Sequence, residues 1–161
     1  LNPHYCWVDT WALKNHLKLV KNQWKEFEKG GKINCVIQLT ETLFEKFSLP
    51  FLPSDTNVQW TFSLRDRLQT QIIMTMKQLA EYWEQQKNWK KALETYQKCI
   101  EINNCSEELF QRQMICYQHL GCRAEVITTF NRCQAELSAK LGIQPSYQTR
   151  AILDTIMKNN K

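Results

Sequence analysis

Glycine and proline are scarce in this chain of 161 residues, with four of each, about half their usual combined share. They gather at Pro3, Gly30 and Gly31, Pro50 and Pro53, Gly121, and Gly142 with Pro145, and none lies between Pro53 and Gly121. A β-sandwich or barrel needs such residues at nearly every turn, so the scarcity argues against an all-β fold. Four glycines placed as stops also cannot build a phosphate-cradling loop. No run approaches the ~18 apolar residues of a membrane span, and the start of the chain lacks the apolar region of a signal peptide. Histidine is sparse too: His4, His16 and His119 are scattered, and no catalytic constellation forms around them. The expectation is a non-enzyme without a cofactor or metal.

What is present is core-forming material. Hydrophobic residues make up 43% of the chain and aromatics 11%, including six tryptophans, a composition that disfavours disorder. A chain of this length buries roughly 70% of its unfolded surface, enough for one core. The net charge of +5, from 21 Lys and Arg against 16 Asp and Glu, is compatible with anionic partners without requiring them. Seven cysteines, at 6, 35, 99, 105, 116, 122 and 133, form no CxxC pair. They read as small thiols of a reducing cytoplasm. The chain opens on Leu1, which suggests a piece of a longer protein.

Periodicity predicts helices. The first follows Asp9 as N-cap and runs to Gly30-Gly31, with Leu13, Leu17, Val20, Trp24 and Phe27 as its apolar stripe. Lys14, Lys18, Lys21 and Lys25 flank that stripe. The second covers about Ile33 to Phe47, with Val36, Leu39, Leu43 and Phe47 inward, and ends before Pro50. Phe51-Leu52-Pro53-Ser54-Asp55 reads as a linker. A long helix then carries Trp60, Leu64, Leu68, Ile72, Met76, Leu79 and Trp83 to about Gln86, and further breaks fall near Lys87-Asn88 and Asn103-Asn104.

A repeat follows. Met76, Leu79, Ala80, Trp83, Ala92, Tyr96 and Cys99 return 34 residues later as Phe110, Gln113, Met114, Tyr117, Val126, Phe130 and Cys133. This spacing resembles the tetratricopeptide repeat, a helical hairpin whose small residue permits close packing and whose aromatic fills the groove. Lys87 stands where such repeats turn on glycine, as Gly121 does in the second copy. Neither Asn104 nor Ser138 is the customary closing proline. The same offset carried back from Gly31 marks a third, poorer hairpin. Cys99 and Cys133 take the position of small buried residues.

The second half also carries Glu107-Glu108, Gly121, Arg123, Phe130, Arg132-Cys133 and then Leu141-Gly142-Ile143-Gln144-Pro145-Ser146-x-x-Thr149. With Phe51-Leu52-Pro53, Trp60, Arg65, Arg67 and Leu68 upstream, the chain resembles the bacterial transcriptional activator domain. Val126 and Phe130 depart from that family's Ala and Tyr. Gly142 is suited to end the sixth helix, and Ser146 to cap a seventh carrying Ile152, Ile156 and Met157. The resemblance implies a regulatory module lying behind a DNA-binding domain, with protein partners: that DNA-binding domain, another copy, or the transcription machinery. DNA would be met only through the absent upstream domain.

Other patterns in the chain have plainer accounts. Cys116, His119 and Cys122 could meet at a helix end as soft ligands, but a fourth ligand is missing and Gly121 interrupts the helix. A buried thiol and a solvent-facing imidazole are the plainer account. The lysine stripe could neutralise phosphates, yet lysines beside an apolar seam are usually a solvated flank. Adjacent Glu107 and Glu108 suit an N-terminal helix turn. By repeat position, the inner face comprises Met74, Lys77, Glu81, Glu84 and Gln85, then Glu108, Gln111, Ile115, Gln118 and His119. That mixture fits a peptide or helix, unless the chain's own end helices fill it.

The expected fold is all-α, a tetratricopeptide-like right-handed helical-hairpin array of about seven helices. Residues 1–8 would be the tail of a preceding domain and 9–161 the activator domain. Its repeats would lie at about 73–106 and 107–140, with a capping helix at about 146–159. The expected function is a non-catalytic interaction domain of a cytoplasmic bacterial regulator, the alternative being a general tetratricopeptide adaptor unrelated to transcription.

Overall fold

The computed structural model describes residues 3–47 and 59–158, with side chains from 10–46 and 63–158. Among these residues there are seven helices and no strand: α1 (Pro3–Glu28), α2 (Ile33–Phe47), α3 (Gln59–Gln85), α4 (Trp89–Ile102), α5 (Glu107–His119), α6 (Arg123–Leu141) and α7 (Tyr147–Lys158). The all-α expectation holds. The Phe51–Asp55 linker lies outside the described residues. One boundary moves: α1 starts at Pro3, so Asp9 sits inside the helix and does not cap it. Proline is tolerated in a first helical turn because its missing N–H would have no partner there.

The chain divides into two compact units, Leu1–Met76 and Lys77–Lys161. In the first, α1 and α2 form a hairpin. Leu13, Val20 and Trp24 are buried on α1, and Val36, Thr40 and Leu43 on α2, at the helical spacing that makes one face apolar. Leu17, Phe27 and Leu39 are only half-buried, while Lys18, Lys21 and Lys25 are exposed. His16 Nε2 lies 2.7 Å from the Leu39 carbonyl oxygen and ties the two helices together. At the turn, Gly31 N–H donates to Glu26 O at 2.9 Å. A Cβ on Gly31 would sit 2.7 Å from that same oxygen, so the closeness of the backbone requires glycine there.

In the second unit the end of α3, then α4, α5 and α6 follow one another, with α4 packed on α5 and α5 on α6, and α7 resting on both α5 and α6. The two turns repeat each other bond for bond. Asn88 N–H donates to Trp83 O and Lys87 N–H to Glu84 O, each at 2.9 Å. Their counterparts are Cys122 N–H to Tyr117 O at 2.9 Å and Gly121 N–H to Gln118 O at 3.1 Å. Both turns need one left-handed residue, Lys87 at φ 56° and Gly121 at φ 76°. The repeat read in the sequence is therefore also a repeat of backbone geometry at these turns.

Lys87 is the one non-glycine residue with positive φ among the described residues. A Cβ in the left-handed region costs ~1–2 kcal/mol, part of which glycine returns through its greater freedom in the unfolded chain. Lys87→Gly is therefore expected to stabilise the chain by about 0.5–1 kcal/mol. A urea midpoint that fails to rise would refute this account of the turn.

The repeat positions are filled as the pattern requires. Met76, Leu79, Ala80, Ala92, Tyr96 and Cys99 are buried, as are Phe110, Met114, Val126 and Cys133. Trp83, Tyr117 and Phe130 are half-buried. On α7, Ile156 joins Met114 and Val126 in one cluster with Tyr117, Phe130, Ile152 and Leu153 around it. Met157, expected inward, is 59% exposed. One step along a helix turns a side chain ~100°, which carries Met157 off the buried face.

Candidate functional site

The residues assigned by repeat position to an inner face do not stay one set. Met74 is exposed on the part of α3 that belongs to the first unit. Lys77, Glu81, Glu84 and Glu108 come together in the second. Lys77 Nζ lies 2.5 Å from Glu108 Oε1 and 3.9 Å from Glu81 Oε1. One turn further along α3, Glu84 Oε2 accepts from Arg112 Nη1 at 3.2 Å. The result is a charged seam running along α3 and α5. Arg112, absent from the repeat-position set, is one of its anchors. Pairs this exposed stabilise by about 0–1 kcal/mol each, so the seam adds little to stability.

Under the seam sits Tyr96, fully buried on α4. Burial first, and then the Glu84 carboxylate, push its phenol upward, so it is neutral at every physiological pH. Glu84 Oε1 is itself buried without a hydrogen-bond partner among the described residues. Gln85 is exposed, and Ile115 and Gln118 are half-buried on α5.

Two of the expected inner-face residues are occupied by the chain itself. Gln111 Nε2 donates to Thr149 Oγ1 of α7 at 2.8 Å. His119 stacks flat on Trp89 of α4, with ring centroids 3.7 Å apart and planes 7° from parallel. Gln111 therefore takes part in the α7 docking site. The rival expectation, that an end helix fills part of the face, holds at that residue because α7 has its own buried stripe to cover.

The docking site joins two motifs that stood far apart in the sequence. Glu107 Oε1 accepts from Ser146 N–H at 2.7 Å and from Thr149 Oγ1. Thr149 N–H in turn reaches Ser146 Oγ at 3.4 Å, the capping bond expected of Ser146. Thr149 is fully buried. Burial alone would raise the Glu107 pKa, but the hydrogen bonds from Thr149 and Ser146 outweigh it and hold the carboxyl below the usual glutamate range. Glu107 therefore does more than stabilise its own helix start. The only sign of it in the sequence was that Glu-Glu and Pro-Ser-x-x-Thr occur in one family pattern.

The cysteines carry no activated thiolate in the second unit's core. Burial pushes Cys99 and Cys116 up to about 12 and Cys133 to about 11, far above the range of reactive thiols. Cys116 is buried, His119 lies on Trp89, and Cys122 Sγ donates to Leu120 O. Among the described residues no group of three or more His, Cys, Asp or Glu side chains could hold a metal ion. None of the described helices is long and apolar enough to cross a membrane.

A search of curated proteins finds no significant match. A family model described as the bacterial transcriptional activator domain matches residues 21–157. The match runs from the last third of α1 to the last turn of α7. It includes both the Glu107 motif and the Pro145-Ser146-x-x-Thr149 motif that the fold joins. With most of its length inside that match, the chain belongs to the bacterial transcriptional activator domain family.

Proposed function

We propose that the chain is a non-catalytic protein-interaction domain of a bacterial DNA-binding transcriptional regulator. The observation that carries this reading is the family match over residues 21–157. On this reading the partner is a protein: the regulator's own DNA-binding domain, a second copy, or the transcription machinery. DNA is reached through a separate domain of the regulator. The contact face is the charged seam of Lys77, Glu81, Glu84 and Glu108, with Gln85, Ile115, Gln118 and His119 beside it. Its alternating charges suit a polar helix or peptide.

The period shared by the two left-handed turns favours a second reading, a general tetratricopeptide-like adaptor with no tie to transcription. One experiment separates the two. The chain is fused to a heterologous DNA-binding domain and directed to a reporter promoter in a bacterial host. The transcription reading expects altered reporter output, lost by at least about fivefold in Glu81→Lys/Glu108→Lys, equivalent to about 1 kcal/mol of contact energy. A folded, operator-bound fusion with unchanged output would leave the adaptor reading in its place.

A further inference from the structure

A cleft of about 420 Å³ opens between α4, α5 and α6, away from the charged seam residues. Its volume falls within the ~300–1,000 Å³ of small-molecule sites. Gln113 of α5 lines it, 5% exposed, and its carbonyl Oε1 has no hydrogen-bond partner among the described residues. The first repeat has Leu79 at the matching position. A glutamine thus replaces an apolar core residue and leaves a buried acceptor unmatched, which costs ~1–3 kcal/mol if nothing else compensates.

Apart from Ala124 the rest of the lining is polar, and its charged members form no ion pair among the described residues. Arg132 of α6 lines the cleft, as do Glu101 of α4 and Glu125 of α6. None of the three has an ion-pair partner among the described residues. The Arg132 guanidinium is placed over the Phe110 ring, 5.8 Å from its centroid, a position that holds the group while leaving its N–H donors free. Tyr117 Oη accepts from Gln97 Nε2 at 3.2 Å and keeps its own proton to donate. One cleft thus presents a fixed cation, two carboxylates, a buried carbonyl acceptor and a phenol donor, with the opposite charges left apart.

We propose that this cleft binds a small zwitterion of the amino-acid or dipeptide class. The ligand carboxylate meets Arg132 and the Tyr117 hydroxyl, its ammonium meets Glu101 and Glu125, and an N–H donor satisfies Gln113 Oε1. The inference is independent of the role proposed for the charged seam. It would make the domain a sensor of its ligand.

The test uses the chain labelled with ¹⁵N. The twenty common amino acids and a set of glycyl dipeptides are added singly, while the Gln113 side-chain amide, and in the variants the backbone amides of Tyr117 and Thr128, are followed by NMR. At least one zwitterion is expected to shift that amide with a Kd in or below the millimolar range. Acetate and ethylamine, each carrying one charge, should bind at least about tenfold more weakly. Arg132→Ala and Glu125→Gln, both at exposed positions, should weaken binding about tenfold or more. Gln113→Leu should abolish binding yet raise the Tm of the free chain by about 2–4 °C, because it removes an unmatched buried acceptor. No amide shift by any zwitterion at about 10 mM would overturn the proposal. So would a Gln113→Leu chain that loses stability and still binds, since that is the behaviour of a structural glutamine. Should Gln113→Leu not fold, undiminished binding by both Arg132→Ala and Glu125→Gln would overturn it equally.

Discussion

Phe110→Ala is expected to lower the stability of the chain by about 3–5 kcal/mol, the largest loss from any single truncation considered. Phe110 and Tyr96 are the largest side chains with no appreciable exposure. Removing the Phe110 ring forfeits its transfer from water and leaves a cavity that helices on several sides cannot close without moving. Arg132 loses the ring beneath it as well. Against a total of ~5–15 kcal/mol for an ordinary domain, the expected outcome is a Tm lower by about 10 °C or more, read by circular dichroism. Phe130→Ala is the internal comparison. That ring is half-buried beside Met114, Val126 and Ile156, so its loss should cost distinctly less. Equal losses at the two positions would contradict the packing described for this unit.

The second large effect is at Glu107, where one carboxylate holds the start of α7 to the start of α5. Hydrogen bonds to a charged group contribute ~1.5–3 kcal/mol when well shielded. Glu107 is partly open to water, so Glu107→Ala is expected to cost about 1–2 kcal/mol. The pH dependence follows from the lowered pKa of the folded state. A carboxyl whose pKa is lowered by folding stabilises fully above its unfolded value and loses that contribution as pH falls through the folded one. The advantage of the wild-type chain over Glu107→Gln should therefore be complete at pH 7. It should begin to shrink below about pH 4.3 and vanish at still lower pH. Urea titrations of both chains from pH 7 to pH 3 measure it. A gap that stays constant in acid, or widens, would show that the charge of Glu107 is not what holds α7.

The Glu107 cluster also shows why the site was less legible than the fold. Gly142, at φ 66°, ends α6 as its position before Ile143 and Pro145 suggested. Asn88 caps α4 by accepting from Lys91 N–H at 3.3 Å. Each of these features depends on a few neighbouring residues, and the local preference of those residues is strong. Asp9 marks the limit of such reasoning, since a residue well suited to cap a helix sits inside one that starts at Pro3. Met157 marks another, where a seemingly continuous apolar pair at Ile156 and Met157 concealed a turn out of the core.

For Gln111 and Gln113 the repeat gives the position but not the surroundings. By repeat position, the first belonged to an open face and the second to the core. The first is bonded to α7, 38 residues away in sequence. The second is buried at the edge of a cleft that α4, α5 and α6 build together. A repeat pattern records what each copy shares. It carries no information about the last copy, which has α7 beside it in place of another repeat.

By itself the sequence determined the helices, their turns, the period that relates Lys87 to Gly121, and the family. All of these rest on interactions within a few residues, or on the regular spacing of buried side chains along one helix. Tertiary structure alone decided that Glu107 would meet Ser146 and Thr149, 39 and 42 residues further on. It alone decided that Glu84 would take Arg112, and that the charges around Gln113 would face one cleft without neutralising one another. The physical reason is directional. A hydrogen bond or ion pair between distant segments depends on where two helices end up to within an ångström, and helix packing sets that position only once the whole core is assembled.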